Sequence, residues 1–223
     1  SVPKLPTKIS VSSAQAQAIA KASDVSAATA SRGFARLSLP LGVSGTPSKY
    51  GQKLVDRFEK KAGKVTVFTG GAKAKATEVP SSVGETHAGG NFAGVLSYGN
   101  ASFYGVGTTT FVCGGRAVAF GHPFNYDGDT TLGANLANAL FVQKDQTWGQ
   151  FKVANIGDTV GTVTFDSLTG IAATLGDPPA NMVAVTTKLK NQSGKVFNGS
   201  TTVASLEFLP DIAAYGLLFD VER

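Results

Sequence analysis

Only two side chains in the sequence carry an imidazole, His87 and His122. His122 stands in Ala119-Phe120-Gly121-His122-Pro123-Phe124, at the end of an apolar run and held between Gly and Pro. There the chain leaves the core and turns, so the ring can meet solvent and a substrate. Histidine is the side chain most often used as a general base near neutral pH. His87 falls in a stretch of Gly, Ala, Lys, Ser and Thr that reads as a linker, so a catalytic histidine must be His122. The same ring could equally fix the turn by bonding to the loop Asn125–Asp129. For a third member of a triad the candidates are Asp127, Asp129, Asp158 and Asp166, each able to orient an imidazole or to satisfy turn N–H groups. The spacing Asn125-x-Asp127-x-Asp129 has the form of a calcium loop but lacks its following Gly and distal Glu. An Asp-Gly turn is expected there, with no metal and no other cofactor.

Acyl transfer also needs a hydroxyl. Downstream of His122 the serines are Ser167, Ser193, Ser200 and Ser205, and none lies in a Gly-x-Ser-Gly turn. The one such turn is Gly42-Val43-Ser44-Gly45, upstream of the histidine. Ser44 there opens a helix near Pro47, so capping or turn duty competes with catalysis. The single cysteine, Cys113, excludes a disulfide framework and a Cys-rich metal site; at a strand end it is expected to be a buried, inert thiol.

The elements that must position these residues are mostly strands. With 27 Gly, 42% hydrophobic residues and only 20 basic and 15 acidic side chains among 223 residues, the composition excludes disorder and a long helical rod. Strands are expected at 34–43, 64–68, 92–98, 101–106, 108–112, 116–120, 132–142, 149–153, 159–165, 170–175, 183–190 and 196–206. Gly99-Asn100 and Gly114-Gly115 supply hairpin turns. A short Ala-rich helix is expected from Ser12 to Ala22 and a closing helix from Pro210 to Phe219. Tyr50, Leu54 and Phe58, four residues apart, predict the buried stripe of an amphipathic helix over 47–61. From Lys49 to Lys75 eight cations face Asp56 and Glu59, a local charge of +6 in a chain of +5, so the remainder is near neutral. The basic face reads either as a solvated surface or as an anion-binding ridge. Without interleaved aromatics it gives no sign of nucleic-acid binding.

This organisation suggests an extended, Ala-rich segment over 1–33, a strand–helix–strand subdomain with its linker over 34–88, and a barrel-like β core over 89–223. No apolar stretch is long enough for a transmembrane helix. The opening Ser1-Val2-Pro3-Lys4-Leu5-Pro6 and the Ser/Ala-rich run after it have the look of a mature exported protein.

The run from Gly107-Thr108 to Ala119-Phe120-Gly121-His122-Pro123-Phe124 resembles the sporulation stage-IV-B serine peptidase family. So do Gly161-Thr162-Val163-Thr164-Phe165-Asp166, Gly170-Ile171-Ala172-Ala173-Thr174-Leu175-Gly176 and the upstream Leu39-Pro40-Leu41-Gly42-Val43-Ser44-Gly45. The resemblance implies a trypsin-like antiparallel β-barrel with a basic helix near its N-terminus and a short C-terminal helix. It implies His122 as base and gives Asp166 the family's acidic position, with Ser44 the only hydroxyl in the right local sequence. Active members place their serine downstream of the histidine. Its absence here points to a secreted or cell-surface relative without catalysis, binding a protein or surface partner or associating with itself. The alternative is an active trypsin-like peptidase.

Overall fold

The computed structural model describes residues 6–44, 49–63, 65–70, 85–145 and 149–222. The chain divides into two compact units, one ending at Ser38 and one beginning at Leu39.

In the first unit β1 (Lys8–Ile9) pairs antiparallel with β2 (Phe34–Ala35). Between them lie α1 (Ser13–Ala22) and α2 (Ala27–Ala30). α1 starts where expected because Ser12 and Gln15 form a capping box: Ser12 N–H donates to Gln15 Oε1 at 2.9 Å and Gln15 N–H to Ser12 Oγ at 3.3 Å. Residues 34–43, expected as one strand, are divided. The first two serve β2, and the last five form β3 (Leu39–Val43) in the second unit.

The second unit opens with β3, α3 (Lys49–Ala62) and β4 (Val65–Thr69), a parallel pair joined by a helix, with Leu41 opposite Val67. α3 buries Val55, Phe58 and Ala62 at three- and four-residue spacing. The Phe58 ring lies 5.1 Å from that of Phe103 and 4.8 Å from that of Phe208. Tyr50 is not in this stripe; it is 62% exposed. A strict four-residue repeat winds round a helix by about 40° per step, so two steps back from Phe58 the side chain has left the buried face. The segment 34–88 does not stand apart as a subdomain, because β3 also pairs with β6 (Phe103–Cys113). Of its expected linker, residues 71–84 lie outside those described.

β5 (Asn91–Gly99), β6, β7 (Arg116–Ala119), β8 (Gly128–Asp145), β9 (Gly149–Ser167) and β10 (Gly170–Leu175) carry the core. β5 pairs with β6, β6 with β7, β7 with β10, β10 with β9, β9 with β8, and β8 again with β5, all antiparallel. The pairings therefore close a circuit of six strands. Phe92, Leu96, Val160, Val163 and Ile171 are buried in its core. Gly114 and Gly115, at φ 55° and 74°, make the tight turn between β6 and β7. The pairs of strands expected at 101–106 and 108–112, and at 149–153 and 159–165, each run on as one strand. β6 bends through a register shift between Thr109 and Phe111, and β9 through shifts in its pairing with β8.

The hairpin of β11 (Val183–Lys190) and β12 (Val196–Val203) adds to the outer end of β5. A 3-10 turn at Leu206–Phe208 leads into α4 (Leu209–Val221), which begins with Pro in its first turn. Asp211 of α4, its side chain 9% exposed, pairs with Lys61 at 2.9 Å and Arg57 at 3.4 Å of α3. Part of the positive charge on the basic helix thus has an internal partner. The molecule is mostly β, with a basic helix and a C-terminal helix as expected. No described helix is long and apolar enough to cross a membrane.

Candidate functional site

The loop that carries His122 is fixed by residues far apart in the sequence. β7 ends at Ala119, and Phe120 then takes φ 80°, a left-handed conformation unusual for a bulky side chain. It is held there by β6. A Cβ on Gly107 would sit 2.1 Å from Phe120 Cδ1, so the ring lies directly on the glycine, and Phe120 N–H donates to Thr108 O at 2.9 Å. Phe124 fills a second gap: its ring occupies the space that a Cβ on Gly94 or Gly105 would need, and it is 3% exposed.

Between and beyond these two aromatic anchors the backbone converges on one carboxylate. Asp166 Oδ1 accepts from Phe124 N–H at 2.8 Å, and Oδ2 accepts from Asn125 N–H at 2.6 Å and Tyr126 N–H at 2.5 Å. Successive amides pointing inward make an anion-binding nest, and here the anion is a side chain of β9, 1% exposed. Tyr126, at φ 66°, closes the turn. Asp166 therefore does not orient the imidazole; its oxygens serve the turn.

His122 itself is exposed. Its ring centroid lies 5.5 Å from that of Phe120, and Nδ1 is 2.9 Å from the Pro123 carbonyl. Because a carbonyl can only accept, Nδ1 carries the proton in that contact. Among the described residues no carboxylate pairs with the ring and no hydroxyl is bonded to it.

Ser44 is elsewhere and fully engaged. It is 1% exposed; Oγ donates to Asn100 O and accepts from Ser102 N–H, both at 3.0 Å, and its own N–H donates to Ser102 O at 3.0 Å. A hydroxyl has one proton to give, and this one goes to a backbone carbonyl. Ser102 and Thr108, the latter beside Phe120, are six residues apart on one extended run, roughly 20 Å at about 3.3 Å per residue. Ser44 pins β3 to the turn between β5 and β6.

The remaining acidic candidates divide between two clefts. Asp127 and Asp129 line one of about 350 Å³ together with Ser205 and Glu207. Burial pushes the Asp127 carboxyl up to about 6, with the charges of Glu207 and Asp166 adding to it and a hydrogen bond from Asn125 opposing. Asp158 lines a larger cleft of about 750 Å³, whose other walls include His87, Thr86, Glu85 and Asn138. His87 thus belongs to a formed surface, with Nδ1 2.7 Å from Glu85 O.

Two features ran against expectation or escaped it. Cys113 is exposed, because strand alternation near the β6–β7 turn puts it on the outer face. Lys152 gave no signal in Phe151-Lys152-Val153, where alternation points it outward. Its ammonium is held by Thr108 Oγ1 at 2.6 Å, Asn91 Oδ1 at 2.8 Å and Gly107 O at 3.3 Å, and burial lowers its pKa.

Comparison of the chain with protein-family models, curated proteins and solved structures finds no match.

Proposed function

We propose that this is an exported, trypsin-like domain of the sporulation stage-IV-B peptidase type that serves at the cell surface by binding or assembly and not by catalysis. The carrying observation is at His122. Its imidazole is displayed on a braced loop, yet it has neither a carboxylate nor a hydroxyl partner among the described residues, and the Ser44 hydroxyl is bonded to Asn100 O. Peptide hydrolysis needs nucleophile, base and oxyanion donors together, and losing one member of such a set costs orders of magnitude in rate.

The peptidase likeness draws support from the way its motif residues work together. Gly107, Phe120, Phe124 and Asp166 all lie in the resembling segments, and all hold the His122 loop. A six-strand antiparallel circuit also suits a trypsin-like barrel. A second reading, an active peptidase with His122 as base and a hydroxyl brought by another chain, is favoured by the exposure of His122.

Hydrolysis of an unfolded protein substrate by the intact chain, measured beside His122→Ala, tests the proposal. Equal, background-level rates are expected. Turnover that disappears with the imidazole would overturn it.

A further inference from the structure

Among the described strands, β8 is paired on both sides over only part of its length. It pairs with β9 almost end to end, but β5 covers its other side only from Gly133 to Leu136, opposite Val95 to Phe92. Beyond Leu136 no described strand pairs with that side, so among the described residues the edge from Ala137 to Gln143 is open. The parting has a local cause. Before Asn91 the chain stays with β6, Gly89 N–H donating to Thr109 O and Thr109 N–H to Gly90 O, both at 2.8 Å. β8 and β9 meanwhile bend away through register shifts on either side of Asn135. That bend is built in: buried Asn135 accepts from Tyr98 Oη at 2.9 Å and donates to Gly157 O at 3.0 Å and Thr159 Oγ1 at 3.1 Å.

The wedge left between the diverging strands is the cleft of about 750 Å³. Its walls bring Glu85 and Asp158 to the head of the open edge, a local concentration of carboxylates in a chain of net +5. Thr86 also lines it; the residue is 7% exposed and its hydroxyl has no hydrogen-bond partner among the described residues. Proteins usually blunt exposed edges with charge or proline. The β11 edge carries Lys188 and Lys190, whereas Ala137-Asn138-Ala139-Leu140-Phe141-Val142-Gln143 has neither. Leu140, Phe141 and Val142 are each more than half exposed, on both faces of the strand.

We propose that the open edge of β8 from Ala137 to Val142 receives an extended peptide segment of a partner protein as an added strand, with a Lys or Arg side chain of that segment entering the cleft against Glu85 and Asp158. Main-chain hydrogen bonds to β8 supply affinity, and the apolar side chains of alternate positions pack beside Leu140, Phe141 and Val142. The cleft supplies the preference for a cation at one position. The assignment rests on the binding role proposed above, not on the peptidase likeness or on His122.

The probe is a short fluorescent peptide alternating Thr and Val, with Arg at its centre, titrated into the intact chain by polarisation. Saturable binding is expected, about tenfold weaker when Glu replaces the central Arg. Alternate N-methylation of the peptide backbone, which leaves the protein untouched, abolishes it. Glu85→Gln with Asp158→Asn removes the preference for Arg over Glu. Amide hydrogen exchange slows at 137–142 on adding the Arg peptide. Absence of saturable binding, equal affinity for the Arg and Glu peptides, undiminished binding of the N-methylated peptide, or protection confined to other strands would each overturn the proposal. So would protection of 137–142 that arises with protein concentration alone, since a second copy would then hold the edge. These readouts do not involve hydrolysis, so a failure here is distinct from a failure of the non-catalytic reading.

Discussion

Asp166 is the residue on which the His122 loop depends most. Removing its carboxylate leaves the N–H groups of Phe124, Asn125 and Tyr126 without their acceptor. For Asp166→Ala we expect a loss of about 2–4 kcal/mol in urea unfolding, together with faster amide exchange at 124–126. A carboxylate serving only the imidazole would change neither. Gly107→Ala is expected to cost about 1–3 kcal/mol, because the new methyl overlaps the Phe120 ring and that residue's backbone is already left-handed. Adding Phe120→Ala makes room for it, so the double variant loses less than the two single losses combined; thermal unfolding of the four proteins gives the coupling. At Asp127 the sign follows from its raised pKa. The folded chain binds this proton more tightly than the unfolded chain, whose value is near 3.8. Asp127 therefore contributes stability at low pH, and that contribution is lost as pH rises from about 4 through about 6. Asp127→Asn, which keeps the acceptor for Asn125, should leave Tm unchanged near pH 3.5. At pH 7.5 it should raise Tm by about 2–4 °C, discounted for partial exposure. A gain of the same size at both pH values would contradict it.

At the scale of elements, the α3–α4 clamp has a similar test. Asp211→Asn strips Arg57 and Lys61 of their shared partner, and about 1 kcal/mol of stability should go with it, less in high salt. Which elements were legible in the sequence follows from how local their causes are. α1 was readable because Ser12 and Gln15 act across one turn. The hairpin at Gly114-Gly115 was readable because its backbone demands glycine. Tyr50 misled because the face of α3 is chosen by Phe103 and Phe208, whose positions the helix sequence does not encode. The gaps expected at 107 and at 154–158 are places where the Phe120 ring lies on Gly107 or a bulge sits within a continuous strand. For the site, the exposure of His122 at a strand end was visible locally. The service of Asp166 to the turn was among the readings left open, and only the pairing of Gly128 with Asp166 across β8 and β9 decides between them. The burial of Ser44 depends on Ser102, fifty-eight residues away.

Over the whole molecule, the circuit of six strands closes through the β5–β6 and β5–β8 pairings, long-range contacts that no periodicity reveals. That closure sets Gly94, Gly105 and Gly107 under the two aromatic anchors and so makes one structural unit of residues 94 to 166. The central claim is that this unit displays an imidazole without a nucleophile. The most direct measurement is incubation of the intact chain with a serine-directed fluorophosphonate, followed by mass-spectrometric mapping of adducts. The account predicts no labelling above that of the unfolded chain. Stoichiometric labelling of one serine, Ser44 included, that is abolished by His122→Ala would contradict it.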